Sequence, residues 1–358
     1  MYSASLEKTL GNISALKRYI LTSDAFRSAV HEQHLICRVT DKCFDLAKFS
    51  RENAPERLDW KVIDHCAVVT RIYAIYEQFA QEMLREHLGI LQKHVSFDAL
   101  PAELHSAYRR GLATILEKKD GPRFGHLHLP SLITQYGMAL SGQSFTLEPL
   151  ALLIQEQNLR MGELSRLFAA NGISNITSWI DQHPSIKDFF SAEGRLGGTC
   201  EHEMLELIKY RNDAAHGSIT VDDILGISVL IEFCDFISAV CEAIFEGVQK
   251  KGIEILIDAN IAYSLGKVTE CIKEGKVIIG NLEGSFAVGD TIYLSGEGYC
   301  WEREILEIRC KDQSMPTVLT EESTEFGILL DKKGKKNARI FIIKPEQPAA
   351  NPSEEHDF

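Results

Sequence analysis

The hydrophobic periodicity of this chain changes once, just after Lys250-Lys251-Gly252, and that change limits the possible folds more than any other feature. Before it, apolar residues recur every three or four positions, the spacing that gives a helix one buried stripe. After it, glycine is frequent and short β-branched runs alternate with turns: Lys276-Val277-Ile278-Ile279, Asp290-Thr291-Ile292-Tyr293-Leu294, Glu304-Ile305-Leu306-Glu307-Ile308 and Arg339-Ile340-Phe341-Ile342-Ile343. Short strands at fairly regular intervals predict a small antiparallel barrel. The expected class is multidomain α and β, an all-α helical bundle followed by a small antiparallel β-barrel.

Within the helical part, apolar spacing predicts helices over 6–20 and 23–49, with Ser23-Asp24 as a cap between them. A polar break at 50–56 precedes a long helix over 58–91, and Ser96-Phe97-Asp98 is read as the cap of a helix over 100–118. Gly121-Pro122-Arg123-Phe124-Gly125 is a loop. Helices follow at 129–140, 147–170, 177–180 and 186–190, then at 201–216 and 221–249. The expected domains are an N-terminal helical extension (1–56), a helical domain (57–250), a barrel (256–345) and a Pro-rich, acidic, disordered tail (346–358).

The stretch that carries chemistry is Arg211-Asn212-Asp213-Ala214-Ala215-His216, followed by Gly217. Imidazole takes or gives protons near neutral pH, and guanidinium holds a phosphate by two parallel hydrogen bonds. Those groups suit RNA cleavage. Asn212 and His216 are four apart and share a helix face, whereas Arg211 leaves the axis roughly 100–140° away. A second copy across a two-fold axis would bring the pairs together in one cleft. Gly217 sits where a helix C-cap favours a residue without a Cβ, and Ser218 and Thr220, with Asp223 three residues after Thr220, offer N-caps for the next helix.

Spacing alone is a weak signal in a chain with 12 His. Arg123…His128 repeats it inside the Gly/Pro loop, and Arg195…His202 is a looser version. The plain alternative is that Arg211 and Asp213 are surface charges and His216 serves only its own helix terminus. His126 and His128 lack the nearby Cys or carboxylates that a metal site needs, so no metal and no cofactor is expected. Glu77, in an apolar helix beside Tyr73 and Tyr76, is either an ordinary helix ion-pair partner or a group that orients the motif Arg or His.

Leu207–Gly217 resembles the motif helix of the HEPN superfamily, Arg-x4–6-His with a polar residue after the Arg. Its Arg-Asn-x-x-Ala-His-Gly form is similar to the RiboL-PSP type. Tyr73, Glu77 and Phe79 resemble the core of that group's first long helix, and the similarity spans about 57–250. The resemblance implies a metal-independent endoribonuclease acting as a homodimer through its motif helices. It assigns His216 as general base or acid, Arg211 to the charge on phosphorus and Asn212 to orienting the phosphate or the imidazole. The implied products are a 2′,3′-cyclic phosphate and a 5′-hydroxyl, and the implied setting is a toxin, antiphage or stress role. Some HEPN modules are instead non-catalytic adaptors or nucleotide- or protein-binding scaffolds, and that alternative stays open.

The barrel region resembles the second domain of translational GTPases such as elongation factor Tu, best at Val288-Gly289-Asp290 and Ile305–Ile308. That points to RNA of the translation machinery, tRNA among others, or to a translation factor as partner. The chain has no G-x-x-x-x-G-K-[ST] loop, so it is not itself a GTPase. Lys332, Lys333, Lys335 and Lys336 lie in what is read as a basic hairpin turn, either solubilising or RNA-binding.

The net charge of −13 argues against nonspecific coating of nucleic acid. The barrel, 256–345, is nearly balanced, with 12 Lys and Arg against 14 Asp and Glu. A chosen substrate, or restraint by a neutralising or activating protein partner, fits that balance. There is no long uncharged apolar run and no secretory leader, and nine Cys form no CxxC pair, so a cytoplasmic protein without a membrane partner is expected.

Overall fold

The computed structural model describes residues 3–32, 46–155, 157–192, 198–217, 219–220, 223–311 and 313–344. The helices are α1 (Ser3–His31), α2 (Leu46–Asn53), α3 (Arg57–His94), α4 (Ala102–Glu117), α5 (Leu129–Leu140), α6 (Pro149–Leu152), α7 (Met161–Ala170), α8 (Ile176–Gln182), α9 (Pro184–Ser191), α10 (Cys200–His216) and α11 (Ile227–Asp258). The strands are β1 (Ala262–Ile272), β2 (Val277–Ala287), β3 (Thr291–Gly296), β4 (Tyr299–Cys310), β5 (Gln313–Met315), β6 (Thr317–Leu330) and β7 (Arg339–Ile343). A helical region followed by a closed antiparallel barrel is thus the architecture. The chain divides into two compact units, Met1–Gln249 and Lys250–Phe358.

Helix α3 is the centre of the first unit. Its buried positions, Val68, Val69, Ile72, Tyr73, Ile75, Tyr76, Phe79, Ala80 and Met83, cover most of its circumference because α1 and α10 both pack on it. Phe233, Phe236, Ile237, Val240 and Ile244 of α11 join the same core. Each fully buried Phe, Ile or Leu contributes about 1.5–3 kcal/mol, which outweighs most local preferences.

Three helix boundaries differ from expectation. Ser23-Asp24 does not cap a helix, and α1 runs through it to His31. Ser23 Oγ donates to Asp64 Oδ2 at 2.7 Å, and the buried Arg27 bridges Asp24 and Asp64, so tertiary partners take the atoms a cap would use. The rest of the helix expected up to 49 lies largely outside the described residues. A short 3-10 turn, Phe97–Ala99, follows Ser96, and α4 starts only after Pro101. Thr220 Oγ1 donates to Asp223 Oδ2 at 2.6 Å, yet α11 begins at Ile227.

The periodicity change at Lys250-Lys251-Gly252 does not end a helix either, since α11 continues to Asp258. Glycine in a helix costs about 1 kcal/mol relative to alanine. Ile253, Ile255 and Leu256 are all buried just beyond it, and their burial exceeds that cost.

In the second unit the strand order is β3-β7-β1-β2-β6-β4, and β3 pairs β4 to close a six-stranded barrel, with the short β5 added outside β4. Leu265, Val268, Ile278, Leu282, Ile292, Leu294, Ile305, Phe326, Ile328 and Ile340 fill it. The basic segment 331–337 is not a hairpin turn, because it joins β6 to β7 and these strands are not neighbours. It crosses the ends of β1 and β2, where Gly334 N donates to Gly275 O at 2.8 Å and Asn337 N to Val268 O at 2.9 Å. The tail 346–358 lies outside the described residues. No helix among them is long and apolar enough to cross a membrane.

Candidate functional site

Helix α10 begins with Thr199, whose hydroxyl accepts from His202 N at 3.2 Å, and it carries Glu201 and Glu203 in its first turn. Its buried stripe is Cys200, Met204, Leu207 and Ile208. One more step of the same period reaches Arg211. That is why Arg211 is half-buried at the core edge, while His216, off the stripe, is exposed. Gly217 stops the helix at φ 68°, ψ 22°, a conformation that glycine adopts without a Cβ penalty.

Arg211 is held in two ways. Its guanidinium carbon lies 5.1 Å from the centre of the Tyr73 ring, and Nη1 donates to Asn212 Oδ1 at 3.1 Å. The same Oδ1 accepts from Asn158 Nδ2 at 3.0 Å. With that oxygen occupied twice, the amide hydrogens are what Asn212 can offer to an outside acceptor.

Asn158 belongs to the segment 153–160, where the spacing predicts a single helix over 147–170. The helix is instead split into α6 and α7. The polar run Gln155-Glu156-Gln157-Asn158 interrupts the apolar stripe there. Leu159 is fixed from both sides, its N donating to Tyr73 Oη at 2.7 Å and its O accepting from Tyr76 Oη at 3.1 Å. Burial pushes the Tyr73 hydroxyl up to about 12, against the Leu159 amide and the Arg211 cation, so it stays a neutral phenol. Gln155 Nε2 donates to Glu77 Oε1 at 2.8 Å, and Tyr73 Oη stands 3.5 Å from the same oxygen. Glu77 thus reaches Arg211 through Tyr73, while Gln155 ties it to the backbone before Asn158 by donating to Gln157 O at 2.8 Å.

Sequence reasoning misses Asn158, Gln155 and the role of Tyr73 under Arg211. The signal available is the polar run that breaks the stripe at 155–158.

The competing Arg123…His128 pair has other work. Arg123 donates to Gln155 O at 3.3 Å and Leu153 O at 3.4 Å, and His128 Nδ1 accepts from Ser131 N at 3.3 Å as the N-cap of α5. Arg195 lies outside the described residues. His65 is buried on α3, its Nδ1 accepting from Leu225 N at 3.2 Å with its ring against Tyr210. Burial lowers its pKa, and Asp223 opposes the shift. The four lysines of segment 331–337 are exposed in the barrel unit. Lys335 lies 4.6 Å over the Tyr299 ring, and the Lys333 carbonyl accepts from Arg303 Nε at 2.8 Å.

Residues 41–250, more than half of the chain, match the RiboL-PSP-HEPN family, and the chain belongs to it. Among solved structures, the C-terminal domain of a protein described as a putative U32 peptidase, from Geobacillus thermoleovorans, aligns with 23% of this chain and 91% of its own. At 14% identity and a TM-score of 0.20 that likeness carries no argument. No curated protein matches the chain.

Proposed function

We propose that this HEPN protein is an endoribonuclease that cleaves RNA without a metal ion. The observation that carries the reading is the arrangement on α10. Arg211 is braced on Tyr73, Asn212 has its carbonyl oxygen tied down by Asn158, and His216 is exposed one turn beyond Asn212. In the proposed step, the His216 imidazole takes the proton of a 2′-hydroxyl and the 2′-oxygen attacks the adjacent phosphorus. The bond from phosphorus to the 5′-oxygen breaks, and that oxygen leaves with a proton from an acid, a second His216 or water. Arg211 meets the charge that builds on the non-bridging oxygens, and the Asn212 amide orients the phosphate. The products are a 2′,3′-cyclic phosphate and a 5′-hydroxyl.

Arg211 and His216 diverge on one helix, which supports a homodimer with both α10 helices at the interface. The role that fits is growth arrest or defence, as a toxin, antiphage or stress enzyme held back by a neutralising or activating partner. The likeness of the barrel sequence to the second domain of translational GTPases supports a target in the translation machinery. The net charge of −13 favours a second reading, a non-catalytic adaptor docking on a translation factor.

The test is to incubate the pure protein with total RNA, with and without chelator, and to identify the new ends. Cyclic phosphate and 5′-hydroxyl ends in both samples are expected. Cleavage that disappears with chelator overturns the metal-free step, and no cleavage above an Arg211→Ala/His216→Ala control favours the adaptor. A strict monomer by light scattering, fully active, overturns the dimer.

A further inference from the structure

The second unit contains a cleft of about 960 Å³ with an unusual concentration of positive charge for a nearly balanced barrel. Five cations line it: Lys250, Lys267, Lys335, Lys336 and Arg339. Two carboxylates share it, Glu254 and Glu297, and Glu254 is already paired with Lys251 at 3.2 Å. Lys267 and Arg339 are direct cross-strand partners on β1 and β7, an arrangement of like charges that destabilises a sheet. Segment 331–337 then adds Lys335 and Lys336 to the same cleft. Nothing in the packing of the barrel requires four exposed cations together.

The floor is aromatic. Tyr299 and Phe341 line the cleft, and Gly296 is what lets the Tyr299 ring lie flat, since a Cβ there would sit 2.3 Å from the ring. Tyr299 is buried, its ring tilted against Trp301 with the centroids 4.6 Å apart and Lys335 4.6 Å from its centre, whereas Phe341 is half-buried. Exposed cations beside the half-buried Phe341 ring offer what a single-stranded nucleic acid uses, charge for its phosphates and a ring for a base.

We propose that this cleft binds the backbone of single-stranded RNA, gripping phosphates with Lys267, Lys335, Lys336 and Arg339 over the Tyr299 and Phe341 floor. It divides the lysines of the 331–337 segment in two. Lys335 and Lys336 line the cleft, whereas Lys332 and Lys333 do not. The choice of RNA among polyanions rests on the ribonuclease reading, but binding is measured without cleavage, so the two fail separately.

The experiment uses the full chain carrying His216→Ala and a fluorescent 12-nucleotide RNA without secondary structure, followed by anisotropy across a salt series. The Lys335→Glu/Lys336→Glu and Lys267→Glu/Arg339→Glu variants are each expected to weaken binding by about tenfold or more. Their salt dependence should also become shallower, by about one in log–log slope per phosphate contact removed. Lys332→Glu/Lys333→Glu changes the charge by the same amount and should bind like the parent. Lys267→Thr relieves the cross-strand repulsion, so it should melt no lower than the parent while binding RNA less well. Equal losses in the Lys332/Lys333 control, or cleft variants that bind normally, overturn the proposal. Polyglutamate or duplex RNA that competes as well as the single strand also overturns it.

Discussion

Arg123…His128 and Arg211…His216 have identical spacing, and the structure engages their side chains differently. In the loop copy the guanidinium hydrogens go to two backbone carbonyls, and the imidazole nitrogen is the acceptor that starts α5. Both guanidiniums lie over a ring, Phe124 or Tyr73, but in the α10 copy Nη1 donates to the neighbouring amide oxygen rather than to backbone carbonyls, and the imidazole is exposed at a helix end. Spacing does not mark chemistry. What the donors and acceptors are already engaged with does. The two pairs are also linked, because Arg123 holds the 153–155 backbone that leads to Asn158.

The largest difference expected between them is catalytic. His216→Ala and Arg211→Ala should each lower RNA cleavage by about 10²–10⁴-fold, with the melting temperature unchanged to within a degree or two. Full activity in a folded His216→Ala protein would remove the distinction altogether.

Asn158→Ala tests whether the segment between α6 and α7 belongs to the site. Loss of a hydrogen bond worth about 1 kcal/mol should lower the cleavage rate several-fold with KM little changed. A drop in stability with an unchanged rate would show that Asn158 is only a brace.

Arg123→Ala should cost about 1 kcal/mol of stability, read by denaturant midpoint, and His128→Ala about half that. His128→Ala should cleave RNA at the parental rate, and a loss of activity there would erase the contrast.

The smallest effect concerns a third imidazole, that of His65. Its folded pKa is depressed by burial, so below about 6.5 the unfolded chain takes up a proton that the folded one resists. Stability should therefore fall as pH drops through that range and be unaffected above it. His65→Asn keeps an acceptor for Leu225 N and should flatten this part of the pH–melting curve. An unchanged slope would assign the pH response to other groups.

Elements decided by local chemistry are legible in the sequence. Helix α5 starts at Leu129 and ends at Leu140 as its spacing predicts, and α10 ends at the glycine that can adopt a left-handed turn. The residues that complete the candidate site are not legible, because they depend on partners distant in sequence. Asn158 meets Asn212 across 54 positions, and Leu159 meets Tyr73 across 86. Ser23-Asp24 misleads for the same reason, since their side chains are engaged by Arg27 and Asp64. The route of segment 331–337 is equally invisible in sequence, because a turn residue looks the same whether the next strand is a neighbour or lies beyond two others.

The ring beneath Arg211 has a consequence for the entropy of substrate capture. A free arginine side chain gives up about 2 kcal/mol of rotational freedom when it is fixed on a phosphate. Stacked on Tyr73, Arg211 has surrendered much of that freedom during folding, compensated by the attraction of cation for ring, about 0.5–1 kcal/mol where solvent is near. In the proposed reaction an incoming phosphodiester would then meet a side chain with less freedom left to lose. Tyr73→Leu would return the motion to Arg211, and each encounter with RNA would have to arrest it again.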